Sequence, residues 1–482
     1  MITDLDASDL SKAIRARKTT CVEVMRAYLE RIEALNPAVL ALVSMADKKD
    51  LLKQAKKADA ELAAGKSRGW LHGIPMAVKD IAPVAGFPCT MGSRLLAKSI
   101  PSEDGLLAQR MRAAGAIFIG RTNVPEFGLG SHSFNDLFGT TKNPWDNTKT
   151  AGGSSGGAAV ALALRMLPLA DGSDFMGSLR NPAGWNHVIG FRPSQGRVPS
   201  WPANDVWVSQ LGTEGPMGRS VRDVARLLAV QSGPDARTPL ARTDKFDVKA
   251  ALKPRAANTI RVGWLGDLDG YLPMQEGVKA TCEKALDAWR SSGVKVQAAK
   301  LGMDPAVLWQ CWLVWRRALV GPRIAPMLAM GPDAKDFIKP EALWEHKQAA
   351  GTGVAEFTTA SAQRSQFYQT TQKLFERFDV IALPSAQVWP FDASERWPKQ
   401  IAGKKMDTYH RWMEATIYGT LLGAPTVCMP AGFGGPDKAK PLPMGIQFIG
   451  RPGADAEVLS IAANYEKHFS AKSAGWYRSR PA

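Results

Sequence analysis

The chain has 482 residues, of which 45% are hydrophobic, with 61 Lys and Arg against 45 Asp and Glu for a formal net charge of +16. That apolar share is ordinary for a globular protein and allows a large core, and a length that would suggest several domains is also compatible with one large α/β unit. The charge invites a nucleic-acid or acidic-membrane partner, but the basic residues are scattered among acids. Their densest groups, Lys404-Lys405 and Arg478 with Arg480, are too short for a footprint, so the charge reads as solvated surface.

The first sixty-odd residues read as helical. Leu10, Ile14, Val22, Met25, Leu29 and Ile32 recur at roughly helical spacing, with Ser8 or Ser11 as a candidate cap. A Lys- and Ala-rich helix over 48–64 follows and is broken by Gly65-Lys-Ser-Arg-Gly69. Short apolar runs at 75–78, 116–119, 260–265, 380–383, 426–429 and 446–449 then predict strands. Helical stretches at 104–114, 157–166, 221–231, 275–291 and 457–469 lie between them. Such alternation predicts an α/β protein with a largely buried sheet. No internal repeat or low-complexity tract is present. Residues 300–375 are the least regular portion. There Trp309, Trp312 and Trp315 recur every three residues, as one helix face in the core or as the wall of an aromatic pocket.

Five cysteines, at 21, 89, 282, 311 and 428, are odd in number and lack CxxC spacing, which argues against a disulfide framework and a zinc site. The opening Met1-Ile-Thr-Asp-Leu-Asp6 is not a secretory signal, and the apolar run at 306–315, interrupted by Gln310, is too short to span a bilayer. The expected setting is the reduced cytoplasm, with no membrane or nucleic-acid partner, no metal and no cofactor.

Three motifs carry the chemistry. They are Lys79 in Gly73-Ile-Pro-Met-Ala-Val-Lys-Asp80, Ser154 and Ser155 in Gly152-Gly-Ser-Ser-Gly-Gly157, and Ser178 in Asp174-Phe-Met-Gly-Ser-Leu-Arg180. Serine is a weak nucleophile until its proton is removed, and a lysine does this once burial depresses its pKa. Only His72 and His187 lie near these motifs in sequence. The set reads as a serine hydrolase with a lysine base. Residues 152–156 also satisfy G-x-S-x-G, but that elbow needs a strand directly upstream, where 143–150 reads as a polar loop, and a histidine partner. No Gly-Lys-Ser/Thr follows the glycines, which weakens a phosphate-cradling reading further.

Taken together the motifs resemble the amidase signature family. The core appears as Gly152-Gly-Ser-Ser-Gly-Gly157, Ala170-Asp-Gly-Ser-Asp174, Gly177-Ser-Leu-Arg-Asn-Pro-Ala183 and Gly190-Phe-Arg-Pro-Ser194. Leu71-His-Gly-Ile-Pro-Met-Ala-Val-Lys-Asp80 and Arg121-Thr-Asn-Val-Pro-Glu-Phe-Gly128 precede it. Phe378-Asp-Val-Ile-Ala-Leu-Pro-Ser385 and Gly423-Ala-Pro-Thr-Val-Cys-Met-Pro430 follow it, so the likeness spans essentially the whole chain. The resemblance implies one large α/β domain with a mixed sheet under helices, residues 66–482, carrying a variable pocket-forming segment at about 300–375. Residues 1–65 would be a helical segment packed on it.

The resemblance also implies a triad of Ser178 as nucleophile, Ser154 as bridging serine after a cis Gly153–Ser154 peptide, and Lys79 as base. Backbone N–H groups at Phe175, Met176, Gly177 and Ser178 would form the oxyanion hole. Gly128, Leu129 and Gly130 match a pocket edge, Ser155 is a further candidate substrate contact that with Asp174 also braces loops at the site, and Arg180 either binds a substrate carboxylate or anchors its loop. Where the family usually has two glycines before the nucleophile, this chain has Phe175-Met176-Gly177, and a methionine there would place an apolar side chain near the acyl group. The function implied is hydrolysis of a small hydrophobic or aryl amide, with carbamates or esters sharing the chemistry, by a monomer or homodimer. The alternatives are the A-type subunit of a tRNA-dependent amidotransferase, which uses the triad on glutamine, and a non-catalytic module, which would require a broken triad.

Overall fold

The computed structural model describes residues 1–471, 477 and 479–481. The strands that build its two main sheets are, in chain order, β1 (Leu42–Val43), β2 (Pro75–Lys79), β3 (Ile117–Thr122), β4 (Ala170–Asp174), β5 (Ile189–Arg192), β6 (Thr213–Gly218), β7 (Arg261–Trp264), β8 (Lys295–Ala298), β9 (Val380–Pro384), β10 (Thr426–Gly434) and β11 (Leu442–Gly450). Among the described residues, eight of them form one mixed sheet in the order β8-β7-β9-β11-β10-β5-β6-β4. β7 runs parallel to β8 and β9, and the other pairings are antiparallel. β1, β3 and β2 form a smaller sheet, with β2 parallel to β3.

Every apolar run predicted as a strand is one. The strands β4, β5, β6 and β8, which the apolar pattern did not mark, complete the large sheet. Helices α1 (Ala7–Arg15), α2 (Cys21–Val39) and α3 (Lys48–Ala63) precede β2. α2 begins after a capping box in which Thr20 Oγ1 accepts from Glu23 N–H at 3.0 Å and Glu23 Oε2 accepts from Thr20 N–H at 2.8 Å. Neither Ser8 nor Ser11 caps α1, whose N-cap is Asp6. Their hydroxyls are committed to tertiary bonds, Ser8 to Asp223 and Ser11 to the carbonyl of Trp70. Leu10, Ile14, Val24, Met25 and Tyr28 belong to the same hydrophobic core as the sheet strands.

Helices α4 (Leu106–Ala113), α5 (Gly156–Ala163), α6 (Arg180–Asn186) and α7 (Val221–Gln231) surround the strands nearest the site. The portion expected to be least regular is instead strongly helical: α8 (Pro305–Leu328), α9 (Pro340–Ala349) and α10 (Val354–Arg377). α8 continues through Pro322 and Pro326, so burial of its faces outweighs the helix-breaking residues. Trp309, Trp312 and Trp315 are buried in the main core, as one helix face. No helix among the described residues is long and apolar enough to cross a membrane.

Candidate active site

Lys79 ends β2, whose five residues are all buried, so its ammonium is carried into the interior by an apolar strand. Its Nζ donates to Ser154 Oγ at 2.8 Å, Ser155 Oγ at 2.9 Å, Ser173 Oγ at 3.0 Å and the Ser173 carbonyl at 3.4 Å. Burial pushes the lysine down to about 7, against the opposing pull of Asp171, Asp174 and Glu214. The Lys79 backbone N–H lies 3.2 Å from both carboxylate oxygens of Asp171, and burial raises that carboxyl to about 6.

The two glycine-flanked serines sit where the chain turns into α5. The Gly153–Ser154 peptide is cis, and Ser155 occupies the N-cap position of the helix. Asp146–Thr150 upstream forms a short strand rather than the polar loop read from sequence, so a strand–turn–helix frame is present after all. The partner of Ser154 is nevertheless Lys79. The nearby imidazole, His132, is turned to Thr150 Oγ1 at 2.7 Å and to the Ala393 carbonyl at 3.1 Å, and burial lowers it to about 4. His72 binds the Ala58 carbonyl, 2.9 Å away.

Ser178 lies between the edge strand β4 and α6. The segment is organised by Asp174, which accepts from Gly177 N–H at 2.9 Å and Leu179 N–H at 3.2 Å and from the Arg180 Nε and Nη2 at 2.9 Å each. Arg192 approaches it at 3.3 Å. Burial alone would raise the Asp174 carboxyl, but the two guanidiniums and the loop N–H groups hold it well below the usual carboxylate range. Gly177 has φ of +84°, and a Cβ there would lie 2.6 Å from Thr416 Cγ2, so the turn before Ser178 requires glycine.

These bonds correct two expectations. The Gly177 N–H is engaged by Asp174 and is not free for an oxyanion. The N–H groups of Phe175, Met176 and Ser178 make no hydrogen bond among the described residues and remain as donors. Arg180 is fully buried, and its five N–H donors go to Asp174 (two), the Thr416 carbonyl at 2.8 Å, Gln447 Oε1 at 2.7 Å and Thr420 Oγ1 at 3.0 Å. It anchors the loop and has no donor left for a substrate carboxylate.

The Phe175–Met176 departure also divides differently from the expectation. Met176 is 4% exposed and packs in the main core, whereas Phe175 is partly exposed and packs against both the main core and a second apolar cluster. That cluster contains Leu129, Val320, Ile324, Ile338 and Ala342, so α8 and α9 supply apolar side chains to the predicted pocket edge. The Phe175 ring lies 5.5 Å from that of Trp312, with the Arg316 guanidinium 5.8 Å from its centroid. A Cβ added at Gly128 would lie 3.6 Å from Ser154 Oγ, and one at Gly130 would lie 3.7 Å from the Tyr409 ring. Ser155, expected as a substrate contact, is fully buried and faces Lys79.

Sequence reasoning passed over several neighbours. Lys339 Nζ donates to the Leu129 carbonyl at 2.6 Å, and Arg316 bridges Glu345 Oε1 and Tyr409 OH at 2.6 Å each. Ser173 and Glu214 sit beside Lys79 on β4 and β6; the alternation of Asp171 and Ser173 was the available signal on β4, and β6 offered none. Lys79, Ser154 and Ser178 are 1%, 3% and 7% exposed, so all three are buried. Surface clefts of about 530 and 660 Å³ lie elsewhere, near Trp389 and near Arg219, and none of these three residues lines them. Among the described residues no group of His, Cys, Asp and Glu is arranged to hold a metal ion.

Residues 23–459 match the family model described as Amidase. The chain is similar to the A-type subunit of the glutamyl-tRNA(Gln) amidotransferase of Symbiobacterium thermophilum, 33% identical over 495 residues and covering 96% of each chain. It is also similar to an acylamidase of Rhodococcus erythropolis, 29% identical over 468 residues, covering 96% of this chain and 95% of the relative. Among solved structures, a bacterial aryl acylamidase of the amidase signature family superposes with a TM-score of 0.89 at 27% identity, over 98% of this chain and 97% of that one.

Proposed function

The chain belongs to the amidase signature family, and from that premise we propose that it cleaves a hydrophobic or aryl carboxylic amide through an acyl-enzyme on Ser178. The observation that carries the reading is a buried lysine, lowered to about 7, with Nζ 2.8 Å from Ser154 Oγ. In the proposed relay, neutral Lys79 takes the proton of Ser154 as Ser154 takes that of Ser178. The Ser178 oxygen adds to the amide carbonyl, and the resulting oxyanion is met by the N–H groups of Phe175, Met176 and Ser178, each such donor contributing roughly 3–4 kcal/mol. Collapse breaks the C–N bond, and the proton held on Lys79 returns through Ser154 to the leaving amine. Water then adds to the ester with the same lysine as base, releasing the acid and restoring Ser178.

An apolar substrate is supported by the cluster of Leu129, Phe175, Ile324 and Ile338, beside which the polar groups Arg316, Lys339, Glu345 and Tyr409 are already bonded to one another or to the Leu129 carbonyl. The similarity to an acylamidase and an aryl acylamidase points the same way. The second reading, the glutaminase component of a tRNA-dependent amidotransferase, is favoured by the relative of that name at 33% identity. The same proposal keeps the enzyme in the reduced cytoplasm, where the five free cysteines would be stable as thiols.

A panel of aryl, alkyl and amino-acid amides that includes glutamine separates the readings. Turnover of aryl or alkyl amides without ammonia release from glutamine is expected. Glutaminase activity alone would select the second reading. A fluorophosphonate should label Ser178 and no other serine, and labelling at Ser154 would overturn the assignment of the nucleophile.

A further inference from the structure

Two residues beside Lys79 have no part in that relay. Ser173 and Glu214 are directly opposite each other across the β4–β6 ladder, so their side chains stand on one face of the sheet. Asp171, two residues along β4, shares that face. β2 packs across it, placing the Lys79 N–H 3.2 Å from the Asp171 carboxylate and Lys79 Nζ 3.0 Å from Ser173 Oγ. The ammonium therefore lies between Ser154 and Ser155 on one side and Ser173 on the other. Glu214 is half-buried, and its Oε2 is enclosed without a hydrogen-bond partner among the described residues. An enclosed carboxyl oxygen with no donor is costly for an anion and far less so for the neutral acid.

We propose that Glu214, acting beside Ser173, is a positioning residue that sets the pH at which Lys79 becomes a base. The inference rests on Lys79 being the base of the relay above. At low pH Lys79 and Glu214 are both protonated. Loss of one proton gives either a neutral amine beside a neutral carboxyl or an ammonium beside a carboxylate, and only the first can accept the proton of Ser154. Burial, reinforced by the charge of Asp171, raises Glu214 to about 8, into the range in which Lys79 itself titrates, so the two one-proton forms compete near neutrality and the ammonium–carboxylate form holds back the base.

The other charged groups facing this pair are already committed. Asp174 is bound by Arg180 and Arg192, Asp171 holds the Lys79 backbone with Arg121 nearby, and Arg110 on α4 donates to the carbonyls of Gln231, Gly233 and Pro234.

The test is the pH profile of kcat/KM in the full chain. Glu214→Gln removes the ammonium–carboxylate form, so the acid limb should move to lower pH by about one unit, the size of one nearby charge in a protein interior. Glu214→Asp retains an ionisable carboxyl and should leave the limb closer to wild type. If Glu214→Gln does not fold, Ser173→Ala carries the test: loss of a hydroxyl that accepts from the ammonium should also move the limb down. An acid limb that persists in Lys79→Met would refute the lysine base itself. A limb that vanishes in Lys79→Met but stays fixed in both Glu214→Gln and Ser173→Ala overturns this inference alone, whatever happens to the plateau.

Discussion

Replacing Arg180 by Met should unfold the loop that carries Ser178 rather than weaken substrate binding. The guanidinium is fully buried and donates twice to Asp174 and once each to the Thr416 carbonyl, Gln447 Oε1 and Thr420 Oγ1. Removing one member of a buried ion pair costs about 3–5 kcal/mol, because the remaining charge keeps its desolvation cost. Three neutral acceptors stranded in the interior add about 1 kcal/mol each. Arg192, at 3.3 Å, keeps Asp174 partly compensated, so a total near 5 kcal/mol is expected. That is a large share of the roughly 5–15 kcal/mol that holds a typical protein folded.

Urea unfolding followed by tryptophan fluorescence reads the loss as a lowered midpoint. Because the folded Asp174 carboxyl lies below its unfolded value, its stabilising contribution is complete above about pH 4 and is lost as pH falls through the folded value. In the variant the folded value is less depressed, so this contribution should be smaller and should be exhausted at a higher pH. A variant with the wild-type midpoint, whose sole defect is a raised KM for amides bearing a carboxylate, would refute the reasoning and return Arg180 to the substrate.

Lys79 is neutral above about 7, so kcat/KM should rise with pH through that value and level off; Lys79→Met should remove that limb and slow the enzyme by orders of magnitude. Ser178→Ala should leave the unfolding midpoint near wild type while abolishing turnover and fluorophosphonate labelling, since the side chain lost is one hydroxyl. Met176→Gly should lower stability by about 2–4 kcal/mol with the ranking over an acyl-length series unchanged, whereas Phe175→Ala should shift that ranking by about 1–3 kcal/mol. A changed ranking in Met176→Gly at intact stability would place the methionine in the pocket.

The residues that meet at the site were legible because their chemistry is local: a lysine closing an apolar strand, and serines among glycines. What surrounds them was not. Strands β4 and β6 hide behind Asp171, Gly172, Ser173 and Pro216, residues that argue against a strand in isolation and are accommodated by tertiary pairing. Residues 300–375 looked irregular because Gly321, Pro322 and Pro326 interrupt the pattern, yet α8 buries enough surface to remain one helix. The choice between anchor and substrate contact for Arg180 depended on Thr416, Thr420 and Gln447, more than 230 residues away in sequence. The loss of Gly177 from the oxyanion donors depended on the direction of one N–H, fixed by a left-handed turn that no side-chain pattern reports.

The strand order has a bearing on how the molecule comes to exist at all. β9, β10 and β11 occupy the middle of the eight-stranded sheet, although they are made from residue 380 onward; β4, which leads into Ser178, is the earliest-made strand of that sheet and sits at its edge. A growing chain therefore emerges with its flanks before its keystone. β4, β5 and β6 can pair among themselves during synthesis, but they wait for β10 to be joined to β7 and β8. Contacts this distant in sequence carry a high loop-closure cost and form late. Until then the face of α6 that packs on β10 and β11 stays exposed to neighbouring chains and to chaperones. The lysine and both serines are thus translated long before the sheet that must hold them is complete, and a ribosome-bound fragment ending before β10 should carry Lys79, Ser154 and Ser178 without the finished sheet around them.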